Sequence, residues 1–321
     1  MSKTTKIWLI AAVLAIMIGI IIFVGAMTML RWDFTKLSTN NYITKNYEIT
    51  EDFSSVSVIT DTSDVTFVAS ENNKCTVECR EQTNMPHSVA VKDGTLVIEA
   101  TDSRKWYEYI GINFGSPKIT VYLPEGEYGA LSVKSDTGAV EIPDDFKFKS
   151  IDVSVSTGNV KCYASAAEAI KIAATTGKIS VENISAGTLE LSFSTGNVNV
   201  SGVTCNGDVK VGVSTGKTYL TDIVCQSVIS SGSTGDILLK NVIAAEKFSI
   251  KRSTGDVKFN GCDAYEIYVK TDTGDVSGTL LSDKVFITET DTGSINVPNS
   301  ITGGRCEITT DTGDIKIDVI S

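Results

Sequence analysis

Aspartates recur at two fixed offsets from a repeated Thr-Gly pair. Asp136, Asp272, Asp291 and Asp311 stand two residues before the glycine, and Asp236, Asp256, Asp275 and Asp314 one residue after it. Carboxylates in such a column could do two kinds of chemistry. Asp272, Asp275, Asp291, Asp311 and Asp314 on adjacent turns form an oxygen-only set of the sort that suits Ca²⁺. Alternatively, two carboxyls at a set separation, one raised in pKa by an apolar pocket, could cleave a glycosidic bond. Turn aspartates in water offer no such pocket, and Lys316 and Arg305 do not repeat as a set that would hold an anionic sugar. Aspartate also suits a solvated turn for its own sake. Two like charges about 4.8 Å apart in water repel by only about 0.9 kcal/mol, so the column stands without a cation. The expectation is a protein that is not an enzyme and has no cofactor, with Ca²⁺ the one cation its aspartates would take.

Other chemistry is scarce. The single histidine, His87, follows Pro86 and reads as a loop residue, which leaves no partner for a nucleophile in the neighbouring sequence. The seven cysteines fit no zinc spacing. Cys75 and Cys79 fall on one face of a strand, and Cys162, Cys262 and Cys306 at apolar repeat positions, as small core residues. Cys205 and Cys225 share a repeat position, nine past the glycine, where other copies have Ala167, Ala186, Ala244 and Ala264. That column needs small side chains at a tight corner, and it brings the two cysteines within reach of a disulfide.

The elements that carry these residues follow from the spacing. The turn glycines are Gly138, Gly158, Gly177, Gly196, Gly216, Gly235, Gly255, Gly274, Gly293 and Gly313, each 19 or 20 residues from the next. Such regularity marks a repeat architecture. Seven, five and three residues before the glycine stand apolar residues, as in Leu189, Leu191 and Phe193, and two and four after it stand others, as in Val198 and Val200. At seven past it another recurs, as in Ile184, Val203, Ile223, Val242 and Leu281. Period-two alternation on both sides of a turn means strand, turn, strand with one apolar face. One such unit cannot bury that face alone, so the units must stack. The fold expected is all-β: a single-stranded parallel β-solenoid of 19–20-residue coils, about fourteen with the cap, and so about 65 Å long.

Residues 7–30 carry no charge. As a helix they would extend about 36 Å, enough to span a bilayer. Lys3 and Lys6 precede the segment, which favours a cytoplasmic N-terminus. The chain then divides into a cytoplasmic tail (1–6), a signal anchor (7–30), a stalk (31–46), a cap with the first coils (47–130) and regular repeats (131–321). Three of the 28 basic residues and none of the 39 acids precede Trp32, so the outer part carries a formal −14. Nucleic acid is excluded as a partner on that charge. An envelope protein, a cationic peptide or another surface component is favoured.

Between the "DGTLVIEA" hairpin and the "ITVYLP" strand, residues 103–117 break the alternation and concentrate Trp106, Tyr107, Tyr109, Ile110, Ile112 and Phe114. These residue types anchor interfaces, and they could equally cover the open end of the first coil. The hairpin, the "ITVYLPE" strand and the serial "DTGAV", "STGNV" and "STGDV" copies resemble a bacterial family of β-strand-repeat proteins. That family is a cell-envelope-associated domain of unknown function labelled "putative adhesin". The resemblance implies a fold, over about residues 47–320, and no catalytic residues. The expected function is a membrane-anchored extracellular scaffold that binds in the manner of an adhesin. The alternatives are an extracytoplasmic envelope sensor working through a membrane partner and, below it, a polysaccharide-active enzyme.

Overall fold

The computed structural model describes residues 2–34, 42–102 and 115–320. An N-terminal helix, α1 (Lys3–Met29), precedes 21 strands. It is long and apolar enough to cross a membrane, and its most apolar stretch packs against nothing inside the protein.

The strands fall into three groups. The N-terminal group is β1 (Tyr42–Ile49), β2 (Ser55–Thr60), β3 (Asp64–Ala69), β4 (Cys75–Gln82), β5 (His87–Lys92), β6 (Thr95–Ala100), β7 (Lys118–Leu123), β8 (Gly126–Thr137) and β9 (Val140–Ile142). The body is β10 (Phe146–Cys162), β11 (Ser165–Glu182), β12 (Ser185–Cys205), β13 (Val209–Thr215), β14 (Thr218–Thr234), β15 (Ile237–Thr254) and β16 (Val257–Thr273). The C-terminal group is β17 (Val276–Leu280), β18 (Lys284–Thr292), β19 (Ile295–Asn296), β20 (Gly304–Thr312) and β21 (Ile315–Val319). β1 thus begins inside the segment expected as a stalk.

Body strands pair in parallel with the glycines in register, Gly158 on Gly177 and Gly177 on Gly196. The expected inward columns form one continuous core. Leu189, Leu191, Val198, Val200, Ile237 and Leu239 are all at most 1% exposed. Gly216 shows why the turn keeps glycine: its φ is +141°, and a Cβ there would overlap the Gly196 carbonyl oxygen of the coil beneath. Close approach between coils, as well as φ, fixes the residue.

Three expectations are corrected. The solenoid has about ten turns rather than fourteen, because much of the N-terminal group is antiparallel cover. At about 4.8 Å per turn the stack is about 48 Å long. Two residues of the repeat alignment slip by one. Ala166, not the exposed Ala167, stands beside Ala186, and Leu280, not Leu281, pairs with Cys262 and is buried. A register shift lies beside each, and a one-residue bulge turns the neighbouring side chain to the other face.

The third correction is the order of the coils. β2 lies between β6 and β8, and β3 between β7 and β9. At the other end β20 lies between β16 and β18, and β21 between β17 and β19. The first and last strand pairs of the solenoid are therefore each second from the end. With a ladder neighbour on both sides, neither is left as a frayable edge. Beyond them the N-terminal end is closed by antiparallel strands, β1 on β4 on β7 and β5 on β6, whereas β18 and β19 lie outermost at the C-terminal end. The turn from β5 to β6 is the expected Asp93-Gly94 pair, with φ +49° and +70°.

Candidate functional site

Three arrangements bring polar groups together. The first is the turn column. The residue after the glycine reaches into the next coil: Asp236 Oδ1 accepts the Asp256 N–H (3.2 Å), Asp256 Oδ1 the Asp275 N–H (2.9 Å) and Asp275 Oδ1 the Asp314 N–H (2.8 Å). Asp314 Oδ1 accepts the N–H and hydroxyl of Ser294 (2.7 and 2.9 Å), and Asn197 takes the N–H of Lys217 in the same way. These carboxylates work as backbone acceptors between coils. The Lys217 ammonium, 2.9 Å away, holds the Asp236 carboxyl below its usual range, and the Ser294 bonds lower that of Asp314. A general acid needs the opposite shift. Asp272, Asp291 and Asp311 are exposed on the neighbouring column. Among the described residues, three donor side chains lie within 4.8 Å of one another at Cys79, Glu81 and His87, and none of the turn aspartates belongs to that set.

That set is the second arrangement, and it corrects the placing of His87. The residue opens β5 and is buried, rather than lying in a loop. Glu81 Oε2 accepts the His87 backbone N–H (2.6 Å) and Nδ1–H (2.9 Å). His87 Nε2 lies 3.3 Å from Thr60 Oγ1 and 3.4 Å from Ser63 Oγ, within hydrogen-bond reach of both hydroxyls. Lys45 Nζ is 2.7 Å from Glu81 Oε1. Burial pushes the Glu81 carboxyl up, but Lys45 and the two His87 bonds outweigh it and hold it below the usual range. Burial, with the Glu81 carboxylate adding to it, pushes the Cys79 thiol up to about 12. Glu81, His87 and Ser63 follow the acid, base, hydroxyl order of a hydrolytic relay. Ser63 is 1% exposed and His87 4%, so no substrate reaches the hydroxyl. The cluster locks β1, β4 and β5 onto the β2–β3 turn. Glu81 and His87 are six residues apart, on either side of a turn, and sequence gave no sign that they would meet.

The third is a groove. Beside the small-residue corner at Ala166 and Ala186, the surface recedes into an open hollow of about 760 Å³. It crosses β8, β10, β11 and β12, about 14 Å along the stack. Buried Phe148, Ala166 and Ala186 form its base, and Lys147, Lys149, Ser165, Ser185, Thr204 and Asn206 its rim. Tyr128 closes one end and packs against Phe53, Phe146 and Phe148.

Of the other expected sites, Trp106, Tyr107, Tyr109, Ile110, Ile112 and Phe114 lie outside the described residues. All seven cysteines are buried, and Cys205 and Cys225 stand as thiols on adjacent coils. A corner that needs small side chains is reason enough for both.

No curated protein sequence matches the chain. Among solved structures it is similar to a "putative lipid binding protein" from Parabacteroides distasonis ATCC 8503, at 15% identity over 88% of this chain and 98% of that one, with a TM-score of 0.47. A "putative adhesin" from Parabacteroides merdae ATCC 43184 gives 10% identity, 88% and 98% coverage and a TM-score of 0.48. Another "putative adhesin", from Bacteroides fragilis NCTC 9343, gives 16%, 87%, 97% and 0.37. The family model described as Toastrack DUF4097 matches residues 53–214 and again 204–320, which together take in the cap, the body and the C-terminal coils. On those matches, which cover well over half of its length, the chain belongs to the Toastrack DUF4097 family.

Proposed function

We propose that the protein is a membrane-tethered binding rod of the cell envelope: α1 crosses the bilayer, and the solenoid outside takes an extended polar ligand along its groove in the manner of an adhesin. The observation that carries this reading is the groove itself. Its size is that of a ligand cleft, its base is of small and apolar side chains, and its rim offers hydroxyl, amide and ammonium groups at successive coils. A repeating rim suits a repeating ligand, and a hydroxyl-rich strand such as an envelope glycan matches it better than a compact molecule does. The rim sets Lys147 and Lys149 against one carboxylate, Glu127, a small positive excess in a strongly acidic chain, so an acidic glycan suits it better than a basic peptide.

A photo-crosslinking residue at exposed Ala167, within the groove, tests this on intact cells. Envelope glycan should be captured there and not from Lys258, on a different part of the surface, and Ser185→Trp should abolish capture with the fold intact. Equal labelling from both positions, or none from Ala167, overturns the proposal. Protease added to intact cells should remove nearly everything after Leu30, and a protected solenoid overturns the tether.

A further inference from the structure

The inward column three residues before each turn glycine runs Val155, Ala174, Phe193, Val213 and Gly232, then Arg252 in β15, and beyond it Thr271 and Thr310. An arginine inside a solenoid needs a reason. It is 4% exposed, and β14 makes room for it with Gly232, directly beside it in register, where a Cβ would fall 2.5 Å from Nη1. Two other strongly buried charges of the protein meet an opposite one: Glu81 has Lys45, and Lys284 has Asp263 at 2.8 Å. Arg252 has no carboxylate partner among the described residues. Burial lowers its pKa to about 10. Taking a guanidinium out of water without a counter-charge is costly, and charged residues are seldom fully buried unless paired.

The hydrogen bonds point the same way. Nη2 donates to Ser230 Oγ (3.0 Å) and Thr218 Oγ1 (3.4 Å), and Nη1 to the Lys251 carbonyl (3.3 Å). Nε is buried with no acceptor. A guanidinium has five N–H groups, so two remain unused. Each hydroxyl that accepts from Arg252 keeps its own hydrogen to give. Ser230 and Thr218 are themselves at most 1% exposed, and neither hydroxyl makes another hydrogen bond among the described residues. The node therefore has positive charge, surplus donors and no carboxylate among the described residues to meet them.

We propose that the solenoid interior at Arg252 is a binding site for a small monovalent anion of the halide class, held by the Arg252 guanidinium and the hydroxyls of Thr218 and Ser230. An anion supplies both what the charge lacks and what the unused donors lack. A halide fits because it accepts from several directions and is cheaper to strip of water than a divalent anion. Thr218 also borders a surface hollow of about 220 Å³, edged by Lys217 and Lys258 together with Asp236 and Asp256.

The test uses the full chain in detergent. Thermal unfolding is followed in sodium chloride and in sodium gluconate, an anion too large for the site, at equal ionic strength and pH. At about 0.3 M salt the midpoint should be roughly 3 °C or more higher in chloride, as for any ligand that binds only the folded state. Arg252→Met should give the same midpoint in both salts. Equal midpoints for the wild type overturn the proposal, and so does a chloride effect that survives in Arg252→Met. Crystals of the wild type grown with bromide decide the matter if the variant does not fold. An anomalous peak against the guanidinium and the two hydroxyls supports the site, and a map without one there overturns it.

Discussion

The two ends of the solenoid meet the same problem and solve it differently. At the N-terminal end the last parallel coil is covered by antiparallel strands, and a buried charge cluster at Glu81 and His87 fastens the cover. At the C-terminal end β18 and β19 stay outermost, and Val285, Ile287 and Ile295 are 37%, 48% and 45% exposed. Both ends share one device, since each chain terminus of the solenoid is threaded in as the second coil from the end. What differs is whether the outermost ladder is then covered. Threading protects the terminus, and only antiparallel cover protects the edge. The proposed orientation puts the sealed end toward the membrane and the open end away from it.

The body between the ends sets the scale for any loss. Gly216→Val should be the largest single effect, roughly 4 kcal/mol, because the turn needs a positive φ and a Cβ overlaps the Gly196 carbonyl. Denaturant unfolding measures it. A loss under about 1 kcal/mol would mean that turns are not where coils lock.

Glu81→Ala should come next, at about 3 kcal/mol, since it leaves Lys45 and a buried His87 without their partner. The same substitution separates the two ends by pH. The folded Glu81 carboxyl lies below its unfolded value near 4.3, so its contribution is present in full above that pH and is lost as pH falls through the folded pKa. The gap between wild type and Glu81→Ala should thus shrink as pH falls below about 4. Hydrogen exchange should show the acid-sensitive opening in β1, β4 and β5 and not in β18. Opening that starts in β18 would reverse the contrast.

How much of this was legible follows from the range over which each feature is encoded. The inward columns were, because a strand announces its buried face every second residue, and the glycines were, because each turn repeats its own chemistry. The ladder partner of a turn aspartate was not, since it lies 19 or 20 residues on, or 39 where Asp275 meets Asp314 across the exchanged coils. The exchange leaves only a faint local mark: five before the glycine the coil around Gly293 has Thr288 where the coil around Gly313 has Ile308. Ala166 and Leu280 were missed because a bulge shifts register without altering composition. Arg252 was not legible, since its column also carries Ser135, Thr271, Thr290 and Thr310 and its meaning needed Gly232, Thr218 and Ser230 in space.

The turn ladder gives a smaller effect that bears on both cation chemistry and the open end. Asp275→Ala should cost about 1 kcal/mol by leaving the Asp314 N–H without its acceptor. Asp275→Asn should cost far less, since an amide oxygen serves as well, as Asn197 does for Lys217. Melting with and without chelator separates this role from Ca²⁺ binding. A drop in midpoint on chelation that Asp275→Asn removes would show that the aspartates hold a cation rather than a neighbouring coil.

The smallest effect on stability should come at the open edge, and it sharpens the contrast most. Ile287 lies on outermost β18 and is half-exposed, so Ile287→Lys gives up little burial and should change folding stability by no more than about 0.5 kcal/mol. The charge should act elsewhere. An uncovered apolar edge is where a second strand can add, and lysine on such an edge opposes it. Wild-type protein in detergent should therefore show association that grows with concentration, and Ile287→Lys should reduce it. Ala90→Lys, at an exposed position of β5, the edge strand at the other end, serves as the control and should leave that association as it was. If the two substitutions reduce association equally, the ends are alike in solution, and antiparallel cover is not what seals the first one.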